Sequence, residues 1–369
     1  MNKKWEVNKR EEEKIEQVAQ ENNISSLLAS ILVNRNIISK EKVQLFLNPT
    51  RNDFHDPFLM PDMKQAVDRI LKAIEAKEKV IIYGDYDVDG ITSITVLKKF
   101  LAERGLEVGF YMPNRLEEGY GLNKKAIEQI AEQNYTLMIT VDCGISGNEE
   151  IEYAKQLGIE VIVTDHHEPG EQIPNCLAVV DAKRKDNKYP FNQLAGVGVV
   201  FKLIQAISIS LNLDAKEYLK YLDIVCVGTI SDIVPLVDEN RTIAKLGLQL
   251  VPMTKNIGLK SLLQSIGYKN MNSTAISFGV APRINACGRM GAESEALKLF
   301  LTNNIQEARD ITEKLNQYNV ERQTTEKKIF EQAIEQIQNA PQDEPCIVLG
   351  SEGWHHGVIG IVASKVTDI

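Results

Sequence analysis

The chain contains no apolar run approaching the ~18 uninterrupted residues that a membrane-spanning helix needs, so no transmembrane helix is expected. Its first residues, Met1 to Lys14, are polar and charged and hold no apolar stretch, so no secretory leader is expected either. Cysteine is scarce. Cys143, Cys176, Cys226, Cys287 and Cys346 are odd in number, far apart and free of CxxC spacing. That excludes a disulfide framework and a cysteine-rich zinc site, and makes a reducing cytoplasm the expected setting. Basic charge is not in excess: 51 acids against 42 bases leave a net charge of −9, unlike a generic nucleic-acid-binding domain. A local cationic groove remains compatible with that balance. Internal repeats and low-complexity tracts are absent. What is present is 369 residues, 43% hydrophobic and 25% charged, enough to bury a large core and long enough to predict two domains.

Residues 1–60 read as an N-terminal helical extension. Ile24, Leu27, Leu28, Ile31 and Leu32 recur at helical spacing, and Pro49, Pro57 and Pro61 break the stretch from Asn48 to Pro61. From Lys79 onward short apolar runs alternate with amphipathic stretches. Val80–Tyr83, Val108–Tyr111, Leu137–Val141, Ile159–Val163 and Ala178–Val180 are the expected strands, with helices over 92–103, 124–133 and 149–156. This order predicts an α/β fold, a mostly parallel sheet with helices on both faces, in a domain spanning 61–302. Residues 303–340 hold neither glycine nor proline and are wholly polar from Glu321 to Lys328, the pattern of a connector helix between domains. Residues 341–369 open a second, smaller α/β domain with a strand at Cys346–Leu349. They are too few to bury a core, so the chain reads as the N-terminal part of a longer protein.

Four acidic features fall at the expected C-terminal ends of strands, where open α/β sheets place their ligand crevice. In Tyr83–Gly90 (YGDYDVDG), Asp85, Asp87 and Asp89 occupy every second position. Like carboxylates this close resist joint ionisation, and a hard divalent cation removes the conflict; the alternatives are a solvated acidic turn or a helix cap from Asp89. Asp142, in Ile139–Gly144 (ITVDCG), taken alone reads more simply as a turn or cap residue. In Val163–Gly170 (VTDHHEPG), His166 and His167 follow Asp165. In an extended segment their side chains point opposite ways, so one can ligate a metal while the other faces substrate, with Asp165 fixing a tautomer. Asp232, in Val227–Pro235 (VGTISDIVP), interrupts an apolar run, where a carboxylate needs a cation or several donors. Together these residues offer mixed oxygen and imidazole ligation. That suits Mn2+ and also Mg2+, with too little sulfur for zinc and enough carboxylates for one to bridge two ions ~3.5–4 Å apart.

The segments GDYDVDG, VDCGIS, TDHHEPG and GTISDIVPL resemble, in order, the four motifs of the DHH phosphoesterase superfamily. PNRLEEGYGLN (Pro113–Asn123), LAGVGV (Leu194–Val199) and APRINACGRMG (Ala281–Gly291) resemble more narrowly its bacterial single-strand-specific 5′→3′ DNA exonucleases. GWHHGVIGIVASK (Gly353–Lys365) resembles the start of the DHHA1 domain that follows a connector helix. The resemblance runs from about Asp53 to the end of the chain. It implies a DHH catalytic domain over 61–302, an incomplete DHHA1 domain over 341–369, and two Mn2+ or Mg2+ ions per active site. The implied reaction is hydrolysis of single-stranded DNA to 5′-mononucleotides, in recombination and repair.

By the same resemblance, Asp87 and Asp142 would hold the first ion, and Asp89, Asp142, His166 and Asp232 the second, with Asp142 as the bridge. His167 would contact the scissile phosphate and assist proton transfer, with Asp85 close by; these two are the catalytic candidates. Arg115 and Arg289 are candidate substrate contacts, since a guanidinium pairs bidentately with phosphate oxygens. The alternative for both, and more so for Arg283, is a surface or internal ion pair. Lys183, Arg184, Lys185 and Lys188 read as a solvated loop that could border a DNA channel. Tyr83 stands where some members carry a metal-binding histidine. The implied partners are single-stranded DNA, a single-strand-binding protein and a RecQ-type helicase, with no membrane. Two other readings stay open: a DHH phosphodiesterase acting on short oligonucleotides, cyclic dinucleotides or pyrophosphate, and a non-catalytic DHH-fold scaffold of repair or replication.

Overall fold

Short runs rich in valine and isoleucine form five strands: β1 (Lys79–Gly84), β2 (Glu107–Tyr111), β3 (Leu137–Val141), β4 (Glu160–Thr164) and β5 (Ala178–Val180). In the computed structural model, which describes residues 6–7, 9–115, 117–268, 270–339 and 346–367, all neighbouring strands pair in parallel, in the order β2-β1-β3-β4-β5. Val80 lies opposite Val108 on one side and Leu137 on the other, and Leu137 lies opposite Glu160. Both faces of the sheet are covered, which is why its central strands read as unbroken apolar runs. The α/β architecture expected from the sequence is therefore the one observed.

Ahead of the sheet lie α1 (Glu12–Asn22), α2 (Ser26–Val33), α3 (Lys40–Leu47) and α4 (Met63–Ala76). Between its strands run α5 (Val88–Ala102), α6 (Lys124–Glu132) and α7 (Asn148–Gln156). After β5 come α8 (Gly196–Ser210), α9 (Lys216–Leu219), α10 (Leu222–Ser231), α11 (Asp238–Leu250) and α12 (Ile257–Ile266). A π-helical turn over Ala275–Val280 then runs into α13 (Ala281–Arg289), succeeded by α14 (Glu293–Leu301), α15 (Ile305–Asn339) and α16 (His356–Val366). Strand side chains alternate between two cores. Val80, Ile82 and Ile139 pack with α4, α5, α8 and α10, whereas Ile81, Tyr83 and Met138 pack with α6 and α7. Helices α1–α3 bury a small core of their own around Val18, Leu32 and Val43. Leu27 and Ile31, part of the helical periodicity of that region, face solvent. Among the described residues no helix is long and apolar enough to cross a membrane.

Buried cationic side chains tie the elements together. Lys202 of α8 and Glu239 of α11 are both 0% exposed, with Nζ 2.8 Å from Oε1. Lys202 also donates to the His55 carbonyl at 2.7 Å, and Tyr189 donates to the other Glu239 oxygen. Arg184 corrects the expectation of a solvated basic loop. It is buried, pairs with Asp62 at 2.6 Å and Asp186 at 2.7 Å, and donates to the Val179 carbonyl, because the loop folds back onto the start of α4. The expected strand at Cys346–Leu349 is also corrected: residues 346–350 have no sheet pairing, no strand lies beside them among the described residues, and Ile347 and Val348 are exposed. The expected boundary at 340–341 and residues 1–5 lie outside the described residues.

Candidate active site

The chain order of the sheet reverses between β1 and β3, so the connections leaving these two strands diverge and open a crevice at their C-terminal ends. Asp85 and Asp87 follow β1, Asp142 follows β3, and the Asp165-His166-His167 triplet follows β4. After β1 the chain turns at once into α5. Asp87 caps that helix, its Oδ1 accepting from the backbone of Asp89 at 2.8 Å and Gly90 at 3.1 Å. The remaining N–H of the first turn, on Val88, donates to Asn285 Oδ1 of α13 at 3.2 Å.

Asp89 therefore sits inside a helix, buried, and a second helix meets it. Its Oδ2 accepts the Gly196 N–H at 2.6 Å and its Oδ1 the Val197 N–H at 2.8 Å. These are the free amide donors of the N-terminus of α8, where helix polarity favours a negative charge. Gly196 leaves room for Asp142: a Cβ on it would lie 2.8 Å from both Cβ and Oδ1 of that aspartate. Asp142 itself has φ +59°, in the left-handed region that non-glycine residues enter rarely.

Asp165 organises the triplet. Its Oδ1 accepts the backbone N–H of His166 at 2.7 Å and of His167 at 3.2 Å, and lies 2.7 Å from His167 Nδ1. Its Oδ2 accepts from Ile145 at 2.9 Å. This curl corrects the expected opposed histidines. The segment is a turn, not a strand, and the two imidazole centroids lie 4.3 Å apart on the same crevice. Residues 194–300 also read from the sequence as mainly helical, and α8 to α14 bear that out; the strand end expected at Asp232 is corrected, since Asp232 caps the C-terminus of α10. That helix is buried between α5, α8 and α11, and a fully buried helix leaves the same unbroken apolar run as a buried strand. The next residue, Ile233, is a β-branched side chain at φ +61° and 88% exposed, so the loop carrying Asp232 holds backbone strain.

The side chains from these elements converge. His166 Nε2 lies 3.0 Å from Asp142 Oδ1 and 3.8 Å from Asp89 Oδ2, and its Nδ1 lies 3.7 Å from Asp232 Oδ2. Despite that closeness, His166 Nε2 makes no hydrogen bond; nor do Asp85 Oδ1 and Asp232 Oδ2, all three buried. Donor atoms drawn together without bonding one another point to a shared centre. Among the described residues, three groups each bring one donor atom per residue to within 4.8 Å of the others: Asp85, Asp87 and Asp142; Asp89, His166 and Asp232; and Asp142, His166 and His167. Burial, reinforced by Asp87, pushes the carboxyls of Asp85 and Asp89 up to about 7. Burial with Asp89 does the same to Asp232, and Asp142 is driven well above the usual carboxylate range by burial and by Asp89. Asp165 is the exception. Burial opposes its charge, but the His167 hydrogen bond and the backbone donors hold it below its ordinary value. That hydrogen bond raises His167, whereas burial lowers His166.

The candidate arginines divide. The Arg115 guanidinium lies 5.1 Å from the ring centre of Tyr86, the residue after Asp85. Arg289 is half-buried near it and donates from Nη1 to the Gly357 carbonyl of α16 at 2.9 Å. Burial, then Arg115 and Arg322, lower its affinity for the proton, so like charges gather here. Arg283 is an internal brace, bonded to Asn316 of α15 and the Gly279 carbonyl. Tyr83 points to the other face of the sheet, stacked on Tyr111 and bonded to the Gly121 carbonyl. Sequence reasoning assigned no place to Asn285, Gly196 or Tyr120, whose hydroxyl lies 3.4 Å from His167. Their only signal was membership of the segments APRINACGRMG, LAGVGV and PNRLEEGYGLN.

Residues 79–229 match the DHH family, N-terminal domain. The single-stranded-DNA-specific exonuclease RecJ of Bacillus subtilis is 42% identical over 367 residues, 99% of this chain and 46% of that protein. The chain spans about half the length of the curated relatives it matches. A crystal structure of exonuclease RecJ bound to manganese superposes with a TM-score of 0.77 at 36% identity, covering 84% of this chain and 78% of that one. RecJ of Thermus thermophilus in complex with Mn2+ superposes with a TM-score of 0.83 at 31% identity, over 96% of this chain and 51% of that one. With sequence and backbone agreement extending over more than three quarters of a solved relative, the chain belongs to the RecJ family of DHH proteins.

Proposed function

We propose that the chain carries the catalytic part of a 5′→3′ exonuclease that hydrolyses single-stranded DNA to 5′-mononucleotides, acting in recombination and repair. Residues 61–302 are its DHH domain, 303–340 its connector and 341–369 the beginning of DHHA1. One observation carries the hydrolytic reading: the three donor groups interlock, Asp142 and His166 each belonging to two of them; the single-stranded DNA substrate and the 5′ polarity rest on likeness to the RecJ relatives. The residues fit a pair of divalent cations. Orphaned atoms on Asp85, His166 and Asp232 face a cluster of carboxyls that burial and mutual repulsion hold above their ordinary range. Asp87 and Asp142, with Asp85 beside them, would hold one ion; Asp89, His166, Asp232 and the shared Asp142 would hold the other. Oxygen and imidazole donors without thiolate suit Mn2+ or Mg2+. Such a pair supplies an activated water and stabilises the charge that develops on oxygen during an in-line displacement at phosphorus.

The chain's own side chains do the rest. With Nδ1 engaged by Asp165, His167 keeps Nε2 to meet a phosphate oxygen or pass a proton to the departing one. Its side chain is 45% exposed, so substrate can reach it. Arg115 and Arg289, gathered beside Tyr86, offer guanidinium forks to phosphate oxygens. Family membership supports a single-strand-binding protein and a RecQ-type helicase as partners, and the cytoplasm as the setting. The test is nucleotide release from single-stranded DNA with Mn2+, using 5′-blocked and 3′-blocked strands in parallel. Mononucleotides are expected from the 3′-blocked strand only. The opposite polarity, or faster cleavage of a dinucleotide than of a 20-mer, would overturn the reading.

A further inference from the structure

A half-exposed tyrosine lies over the DHH triplet. Tyr120 belongs to the segment between β2 and α6 and is flanked by Gly119 at φ +82° and Gly121 at φ +86°. No atom lies within 4 Å of a Cβ placed on either glycine, so backbone conformation rather than crowding calls for glycine there. The turn is fixed from below. The Tyr83 hydroxyl donates to the Gly121 carbonyl at 3.0 Å and accepts from Asn123 Nδ2 at 3.2 Å. Asn123 Nδ2 also donates to Glu118 Oε1 at 3.0 Å, which the Tyr111 hydroxyl reaches at 2.8 Å. Tyr83 and Tyr111 are paired residues at the ends of β1 and β2, so the sheet sets where the Tyr120 ring stands.

The Tyr120 hydroxyl lies 3.4 Å from the Asp142 carbonyl oxygen and 3.4 Å from both ring nitrogens of His167. Equal distances place it against the imidazole as a whole, not on one nitrogen's lone pair, and the two rings meet edge to face at 70° with centroids 5.9 Å apart. Asp165 holds the same imidazole through Nδ1. A ring held through one nitrogen keeps torsional play about the bond to its Cβ. A hydroxyl fixed against it by a backbone carbonyl removes that play.

We propose that Tyr120 is a positioning residue: its hydroxyl, hydrogen-bonded to the Asp142 carbonyl, braces the His167 imidazole so that the free nitrogen faces the scissile phosphate. The consequence for catalysis rests on the exonuclease reading; the contact with His167 does not. The Tyr120 side chain is 52% exposed, so stacking of its ring on a nucleobase is the competing use that the test must separate.

Tyr120→Phe keeps the ring and removes the hydroxyl. On single-stranded DNA with saturating Mn2+ it is expected to lower kcat about five- to tenfold, the size of one lost hydrogen bond, with KM and Mn2+ affinity unchanged. In a His167→Ala background the same change is expected to have no further effect. In the metal-free full chain, a long-range 1H–15N spectrum of the imidazoles should show His167 signals displaced by Tyr120→Phe, with those of His55, His355 and His356 unmoved. Unchanged kcat in Tyr120→Phe, an equal loss in the His167→Ala background, or a KM rise confined to Tyr120→Ala would overturn the proposal, the last in favour of stacking. A wild-type chain that releases no nucleotide would sink the exonuclease reading instead. The imidazole spectrum would still decide the contact, and unmoved His167 signals would end it.

Discussion

Replacing Gly196 by alanine tests how the acidic crevice is held together. The new Cβ would meet Asp142 Cβ and Oδ1 at 2.8 Å and Cγ at 2.9 Å, closer than such atoms approach. Asp142 cannot easily yield, because it leaves β3 through a left-handed backbone turn. The first turn of α8 must retreat instead, and it carries the two N–H groups that lie 2.6 and 2.8 Å from the Asp89 carboxylate. Hydrogen bonds to a charged group contribute about 1.5–3 kcal/mol each, so a partial loss of both is substantial. Against it stands the better helix propensity of alanine, up to ~1 kcal/mol over glycine. In the metal-free chain the loss outweighs that gain, although Asp89 relieves part of it by taking up a proton, so the melting temperature should fall modestly. Cation affinity has no such relief. Displacing the supports of ligating carboxylates costs about 10–100-fold in metal binding. Calorimetric titration with Mn2+ measures it, with Gly198→Ala as the control, since the nearest atoms to a Cβ there belong to the Leu194 side chain, at 3.2 Å and beyond. Gly196→Ala binding Mn2+ as tightly as wild type would refute the idea that α8 holds Asp89 and Asp142 in place.

Four further outcomes are expected. Asp142→Ala removes the residue shared between donor groups, and initial rates with saturating Mn2+ should fall below about a tenth of wild type; a higher residual rate would count against the paired-cation scheme. His167→Ala should slow cleavage by roughly 10²-fold while sparing Mn2+ binding, and a loss of binding would instead place His167 among the ligands. Lys202→Ala strands the Glu239 charge in a site 0% exposed, which should cost about 3–5 kcal/mol in urea unfolding; a loss under ~1 kcal/mol would show that water reaches Glu239. The Asp238 hydrogen bond raises His55 above its ordinary value of about 6.5. That contribution to stability is therefore complete below the unfolded value and lost as pH rises through the folded one. Melting temperatures from pH 6 to 9 should decline more steeply in wild type than in His55→Gln.

The site was legible in the sequence where chemistry contradicts its surroundings. Asp85, Asp87 and Asp89 stand out because three carboxylates follow a buried strand, and the histidine pair and Asp232 stand out for similar reasons; Asp142, a turn or cap residue when read alone, joins them only through the combined pattern. Strands β1 to β5 were readable because the sheet is covered on both faces. The element before Asp232 was not, since α10 is buried all round and its apolar residues show no periodicity to separate helix from strand. The histidine orientations were misjudged because one carboxylate, Asp165, folds three residues into a turn. Long-range partners left no local trace: Asp89 meets Gly196 at a separation of 107 residues, and Arg184 meets Asp62 at 122. Such pairs arise only when the layers close.

The 35 residues of α15 form a rod about 50 Å long. Its first half is riveted to the sheet-bearing body through Ser261, Arg283 and Glu295, and its far half carries α16 on Ile329 and Ala333. From α16 the Gly357 carbonyl returns to Arg289, on the helix whose Asn285 grips the first turn of α5. Rod, outer helix and inner helix thus close a truss. Contacts therefore run without a break from α16 through α13 to the segment bearing Asp87 and Asp89, so the far end of the rod is braced against the acidic crevice by two routes.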